Sequence, residues 1–185
     1  MSIKSTLENF YKIKCDYPSD INEHLPVLKE FAEDCEHITE LGVRWVVSTY
    51  AFMMGKPKRL VSYDVLPIET WENTTTQELT DLAKENNIDF EFKLENVLEV
   101  EIEETDLLFL DTIHTYKQVK TELELHASKV RKYLIFHDTT SFEVVGEDEG
   151  LGIGFAIKEF LILNPEWVLY KEYRNNNGLT ILKKN

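Results

Sequence analysis

Cysteine is scarce in this chain, with only Cys15 and Cys35 among 185 residues. A chain of this length buries enough core to fold without covalent staples. The two are therefore read as free thiols of a reducing compartment, which places the protein in the cytoplasm and excludes a disulfide-built scaffold. No apolar run approaches the roughly 20 residues of a membrane span. The start Met1-Ser2-Ile3-Lys4-Ser5 lacks the charged beginning and long apolar centre of a secretory signal. Positive charge is also short: 20 Lys and Arg face 34 Asp and Glu, for a net charge of −14. Such a surface repels phosphate backbones and anionic lipid. The longest basic stretch, Lys56-Pro57-Lys58-Arg59, is brief and falls where a turn should precede a strand. Nucleic acid and membranes are thus not expected as partners; a small-molecule substrate is, and a homo-oligomer stays open. Repeats, low-complexity stretches and Gly/Ser linkers are missing too. The chain is read as one domain over 1–185, with a helical cap in 1–36 and an α/β core in 37–185.

What is present is a core-forming composition, 43% hydrophobic, and two apolar runs with acidic ends. Asp106-Leu107-Leu108-Phe109-Leu110-Asp111 leads into Thr112-Ile113-His114-Thr115-Tyr116, and Tyr133-Leu134-Ile135-Phe136 ends in His137-Asp138. Short apolar runs between polar flanks read as buried parallel strands. In an open α/β sheet, ligands bind outside the carboxyl ends of such strands. Asp111, His114, His137 and Asp138 would therefore crowd one rim, and carboxylates and imidazoles gathered there point to a metal or acid–base site.

The rest of the chain alternates. Residues 3–15 read as a helix. A second helix is expected from Asp20, where Asp20 and Glu23 make a capping-box-like pair; Ile21, Leu25, Leu28, Ala32 and Cys35 share one face, and Pro26 sits in the first turns, where it is expected to kink the helix. Strands are expected at 37–41, 59–63, 88–92, 107–110 and 133–136, with helices at 46–54, 76–86, 116–129 and 153–163; Asn164-Pro165 stops the last. Two final strands, 167–173 and 179–183, are joined by Asn175-Asn176-Asn177-Gly178, a strong hairpin signal. Five βα units closed by an antiparallel hairpin give a mostly parallel seven-stranded sheet with helices on both faces.

This order, together with four segments, resembles the class I S-adenosylmethionine-dependent methyltransferases, and more narrowly the small-molecule O-methyltransferases grouped with macrocin O-methyltransferase and the cephalosporin-hydroxylase-type proteins. The segments are Thr39-Glu40-Leu41-Gly42-Val43, Ser62-Tyr63-Asp64, Leu110-Asp111-Thr112-Ile113-His114-Thr115-Tyr116 and Phe136-His137-Asp138-Thr139. The match runs from about Asp20 to Lys183. The last two segments are fairly specific in combination; the first two alone are weak.

The resemblance implies a Rossmann-like fold, S-adenosylmethionine as cofactor, and roles for particular residues. Gly42 would let the backbone approach the cofactor, or simply make a tight turn. Glu40 would orient the cofactor's amino acid part or the loop itself. Asp64 would accept the ribose hydroxyls, or merely end its strand. Glu95 or Asn96 would lie near the adenine. Ser48 and Thr49 would cap the helix after the first turn and present N–H groups to the cofactor carboxylate. Trp45 and Val46 depart from the pattern, standing where relatives often carry a second glycine.

Members of the narrower group often bind a divalent cation. By matching position Asp111 and Asp138 would be ligands, with His137 either a third ligand or a buried hydrogen-bonded side chain; oxygen donors suit Mg²⁺, and an imidazole suits Mn²⁺ or a softer ion. Asp111 would thus serve cofactor, metal and catalysis alike. His114 would be the general base or a scaffold for Asp138, since Ile113 cannot serve as base. His24 reads as surface, His126 as structural and Tyr116 as packing. Trp45, Trp71 and the loop at 69–76 would wall the pocket, and the acidic, Gly-containing stretch at 143–154 would be either a lid or a solvated loop. The leading expectation is metal-assisted O-methylation of a small hydroxylated molecule such as a sugar or glycoside. N-methylation, and a degenerate domain that binds a nucleoside-like ligand without turnover, are the alternatives.

Overall fold

A computed structural model describes residues 6–70 and 73–185; Trp71 lies outside them. Seven strands form one sheet: β1 (His37–Leu41), β2 (Arg59–Asp64), β3 (Asp89–Leu94), β4 (Thr105–Leu110), β5 (Val130–His137), β6 (Trp167–Tyr173) and β7 (Leu179–Lys184), in the order β3-β2-β1-β4-β5-β7-β6. The first five run parallel, and β7 and β6 join antiparallel at the far edge. The sheet is therefore mostly parallel with a terminal hairpin, as the sequence pattern implies.

Alternation within the apolar runs explains why both faces are covered. Leu107, Phe109, Tyr133 and Ile135 point into one core, with α1 (Leu7–Asp16), α2 (Leu25–Ala32), α3 (Val47–Met54) and residues of α4 (Thr76–Glu85). Leu108, Leu110, Leu134 and Phe136 point into the other, against α5 (Tyr116–His126) and α6 (Ile153–Leu163). A strand buried on both sides reads as a continuous apolar run. No helix among the described residues is long and apolar enough to cross a membrane, and Cys15 and Cys35 are unpaired thiols.

The entry to α2 differs from the expectation. Ser19, not Asp20, organises it: the Ser19 hydroxyl accepts the N–H groups of Ile21 and Asn22, at 3.3 and 3.0 Å, while Asn22 Oδ1 accepts the Ser19 N–H at 3.1 Å. A short 3₁₀ turn at Asn22–His24 follows. Pro26 then falls in the first turn of α2, where a missing N–H costs nothing, so it starts the helix rather than kinking it. Asp20 is left to pair with Arg44 at 3.1 Å. His24 is buried, not at the surface, and its Nε2 lies 3.0 and 3.1 Å from the carbonyls of Asn175 and Asn176 in the terminal hairpin. His126 is structural, with Nε2 2.8 Å from the Val97 carbonyl.

Strands β4 and β5 both begin earlier than their apolar runs suggest. Polar Thr105 and Asp106 are admitted because their side chains are satisfied: Asp106 accepts the backbone N–H groups of Glu36 and His37 and pairs with Arg131 at 3.0 Å. Helix α5 ends at His126 and gives way to a 3₁₀ turn at Ala127–Lys129.

The strand order reverses between β1 and β4, and here two turns meet. The Asp111 N–H donates to the Leu41 carbonyl at 2.9 Å. Gly42 has φ +89°, and a Cβ on it would lie 2.0 Å from the Asp111 carbonyl oxygen. The neighbouring backbone by itself thus demands glycine here. Gly42→Ala combines a left-handed strain with a backbone clash, so we expect a loss of at least ~2–4 kcal/mol in urea unfolding; a loss under 1 kcal/mol would show that the two turns do not touch as described.

Candidate active site

The carboxyl ends of β1, β2 and β4 open into a cleft of about 450 Å³ at this reversal, the position where open α/β sheets bind ligands. Gly42, Ser48, Asp64, Glu95, Asn96, Asp111 and His114 all line it, with Trp45 and Arg44 on the wall. Glu40, His137 and Asp138 are not among the lining residues.

The turn entering α3 is strained. Arg44 has φ +40° and Val46 φ +57°, a conformation that β-branched residues rarely adopt. Asp64 holds it in place: Oδ2 accepts the N–H groups of Val43 and Arg44 at 2.9 and 3.1 Å, and Oδ1 accepts that of Leu66 at 2.9 Å. Lys14 of α1 donates to the Trp45 carbonyl at 2.9 Å, and the Arg44 guanidinium lies 3.8 Å from the Trp45 ring centroid. Val46 caps α3 without a side-chain hydrogen bond. Ser48 and Thr49 do not cap it either, because their hydroxyls donate to Glu40 at 2.6 and 2.8 Å. The uncapped N-terminus of α3 is left beside the cleft, a natural seat for an anionic group.

Glu40 lies beneath the cleft, fully buried, and accepts a third hydroxyl from Ser62 at 2.6 Å. Its three hydroxyl partners tie β1 to α3 and β2. Burial pushes its carboxyl up to about 7, against the opposing pull of the three hydroxyls. On the other side of Asp111, Glu122 is equally buried; desolvation lifts it to about 7, although Thr112 and Gln118 donate to its Oε1 at 2.5 and 2.8 Å. Asn96 is engaged in its own turn, accepting from the Leu98 N–H and donating to Glu99.

At one end of the cleft, Asp111, His114 and Asp138 bring one donor atom each within 4.8 Å of one another. His114 Nε2 is 2.9 Å from Asp138 Oδ2 and 3.3 Å from Asp111 Oδ1. Its Nδ1 bonds to Glu147, and its ring stacks on Phe142 with centroids 4.9 Å apart. Burial disfavours the charged ring, but hydrogen bonds to Asp111 and Asp138 outweigh it and push His114 up to about 10. The same balance holds Asp111 well below the usual carboxylate range: burial acts upward, and attraction to His137 with hydrogen bonds from His114 and His137 acts downward more strongly. Asp138 sits at φ +58°, and its buried Oδ1 has no protein partner.

His137 does not join the three-donor group. Its Nδ1 is 3.2 Å from Asp111 Oδ1, and its Nε2 donates to the Asp20 carbonyl at 3.1 Å. Its Nδ1 also lies 3.6 Å from Asp138 Oδ2, so His137 faces both aspartates, and its Nε2 ties the cap to β5. Tyr116 packs at the start of α5, its hydroxyl bonded to Glu159.

Sequence reasoning missed Glu122, Gln118, Phe142 and Glu147. For Glu122 a signal existed: it shares the buried face of α5 with Val119, Leu123 and His126, and an acid on an apolar stripe is a buried acid. For Glu147 none did, because 33 residues separate it from His114. The stretch at 143–154 is a bonded loop, held by a Val145–Leu151 bridge and by the Tyr116 N–H on the Leu151 carbonyl.

No protein-family model and no curated protein matches this chain. Solved structures do. A candidate caffeoyl-CoA O-methyltransferase from Staphylococcus aureus aligns with TM-score 0.64 at 18% identity, over 100% of this chain and 93% of that one. An O-methyltransferase from Bacillus cereus in complex with SAH gives 0.60 at 16%, over 100% and 93%. An rRNA methylase from Escherichia coli gives 0.57 at 15%, over 96% and 71%. At such identities the likeness establishes the fold: this chain has the Rossmann-like architecture of methyltransferases.

The Glu40 pocket has a pH signature. A carboxyl raised by folding keeps its proton longer in the native state, so its contribution is full below the unfolded value and is lost as pH rises through about 7. Glu40→Gln lacks this titration. Relative to the wild type, the variant should gain a few kcal/mol in urea unfolding between pH 5 and pH 8; parallel pH curves for the two proteins would contradict a raised Glu40.

Proposed function

We propose that this protein is an S-adenosylmethionine-dependent methyltransferase that methylates a hydroxyl of a small molecule, with a divalent cation held by Asp111, His114 and Asp138. The observation that carries the reading is one cleft at the sheet's reversal point that joins Asp64, Asp111 and the uncapped start of α3 to a carboxylate–imidazole cluster. Solved neighbours that share the fold, one of them in complex with SAH, support it.

The residues fit both groups. Asp64 and Glu95–Asn96 stand at the ends of β2 and β3, where a nucleoside would be read; the start of α3 and Ser48 face the place for an amino acid carboxylate. For the cation, two carboxylates and an imidazole form a hard-to-borderline donor set suited to Mg²⁺ or, better, Mn²⁺. The buried, unpartnered Oδ1 of Asp138 supplies a lone pair that the protein itself leaves unused. The sulfonium cofactor brings an electrophilic methyl group, and a divalent cation lowers the pKa of a hydroxyl bound to it. The protein's own part is alignment: the Asp64-braced turn and the Glu40 hydroxyl cluster fix one wall, and Asp111 and Asp138 fix the other. His114 would hold the cation together with Asp111 and Asp138. A sugar or glycoside acceptor follows from the resemblance to the macrocin group. The acidic surface, with a net charge of −14, favours such an acceptor over RNA, and two free thiols fit a cytoplasmic protein.

A second reading, a binding domain without turnover, draws on Trp45 at the cleft wall and on the three backbone N–H groups already seated on Asp64. Calorimetry with S-adenosylmethionine and S-adenosylhomocysteine, with and without Mn²⁺, separates the two. Binding of both with methyl transfer to a hydroxylated acceptor supports the enzyme; binding without transfer supports the second reading; failure of both to bind removes both. Asp64→Ala should weaken S-adenosylhomocysteine about 10–100-fold, and unchanged affinity would refute its ribose role. Asp138→Ala should weaken Mn²⁺, titrated by electron paramagnetic resonance, at least ~100-fold; wild-type affinity in that variant would exclude it as a ligand.

A further inference from the structure

His114 is held on every side. Asp111 and Asp138 take one ring nitrogen, Phe142 covers a face with planes only 5° apart, and Glu147 takes the other nitrogen. The Glu147 contact is reciprocal: its carboxylate also accepts the backbone N–H of His114 at 3.0 Å, and its own N–H donates to the His114 carbonyl at 3.3 Å. The loop that carries it is preorganised by its own bonds, Gly146 N–H to the Gly150 carbonyl at 3.0 Å and Gly150 N–H to Asp148 Oδ1 at 3.0 Å. It also sits tight on His114, for a Cβ on Gly146 would lie 3.0 Å from the His114 carbonyl. Glu147 is partly exposed while His114 is mostly covered, at 42% and 12% of their side chains, so the carboxylate approaches from the solvent side.

Neutral imidazole has one N–H and one lone pair, and a partner that accepts the N–H decides which nitrogen keeps the lone pair. A histidine that binds a metal nearly always donates its other N–H to such an acceptor. We infer that Glu147 is the positioning residue of the cation centre: by accepting Nδ1–H it presents His114 Nε2 to a cation shared with Asp111 and Asp138, and it fastens the 142–152 loop beside the site. This rests on the cation reading above. Glu147 does not line the cleft and reaches the site through His114.

The test uses Mn²⁺ as the probe and the full chain. Mn²⁺ affinity is measured by electron paramagnetic resonance, and nitrogen coupling to the bound ion by electron spin-echo modulation, for the wild type, Glu147→Ala, Glu147→Gln and Glu149→Ala. Glu147→Ala should bind Mn²⁺ 10–100-fold more weakly with reduced nitrogen modulation. Glu147→Gln keeps an acceptor oxygen and should recover most of both, whereas Glu149→Ala, in the same loop, should stay within twofold of wild type. Unchanged affinity and modulation in Glu147→Ala would overturn the positioning role while leaving the cation centre standing. Equal weakening by Glu149→Ala would also overturn it, replacing it with general loop charge. A wild-type chain that binds no Mn²⁺ would overturn the cation reading and this inference together.

Discussion

The backbone contact between the turn after β1 and the turn after β4 is the constraint on which the rest of this structure depends. Parallel pairing brings Leu41 beside Leu110, and the chain must leave both strands at the same point. Gly42 yields by taking a positive φ, so that the Asp111 carbonyl lies where a side chain would otherwise stand. This contact sets the depth of the cleft. It also sends Asp111 toward the two histidines and carries the chain into the strained 43–46 turn that Asp64 braces.

Around that contact the protein buries an unusual amount of acid. Glu40, Asp111, Glu122 and Asp138 lie within or beneath one site, and they are stabilised in two different ways. Glu40 and Glu122 are surrounded by neutral donors, and burial lifts both toward neutrality. Asp111 and Asp138 are paired with imidazoles that burial alone would leave uncharged. An unpaired buried charge is expensive, and at Asp111 the facing imidazoles offset that cost. A divalent cation would satisfy the same requirement, which links the electrostatics of the site to the proposed chemistry.

The strands and most helices were legible because apolar spacing and capping residues act locally. The 153–163 helix and the Asn175–Gly178 turn are instances, and so is α4, which the structure shows to be started by a Thr75–Glu78 capping box. The start of α2 was misread because Ser19 and Asp20 are both good cap residues, and the choice rested on Arg44, which draws Asp20 away from across the fold. His24 looked like a surface residue because its partners are carbonyls of the terminal hairpin, some 150 residues downstream.

By itself the sequence determined the order of elements, the sheet class and the gathering of Asp64, Asp111, His114 and Asp138 at strand ends, since side-chain periodicity and strand termination need only neighbouring residues. Tertiary structure alone decided that both imidazoles face the two aspartates, that hydroxyls of α3 and β2 close on Glu40, and that Glu147 reaches His114. Each of those depends on the direction of a side chain and on a partner distant in the chain, and a hydrogen bond forms only when distance and angle are both met.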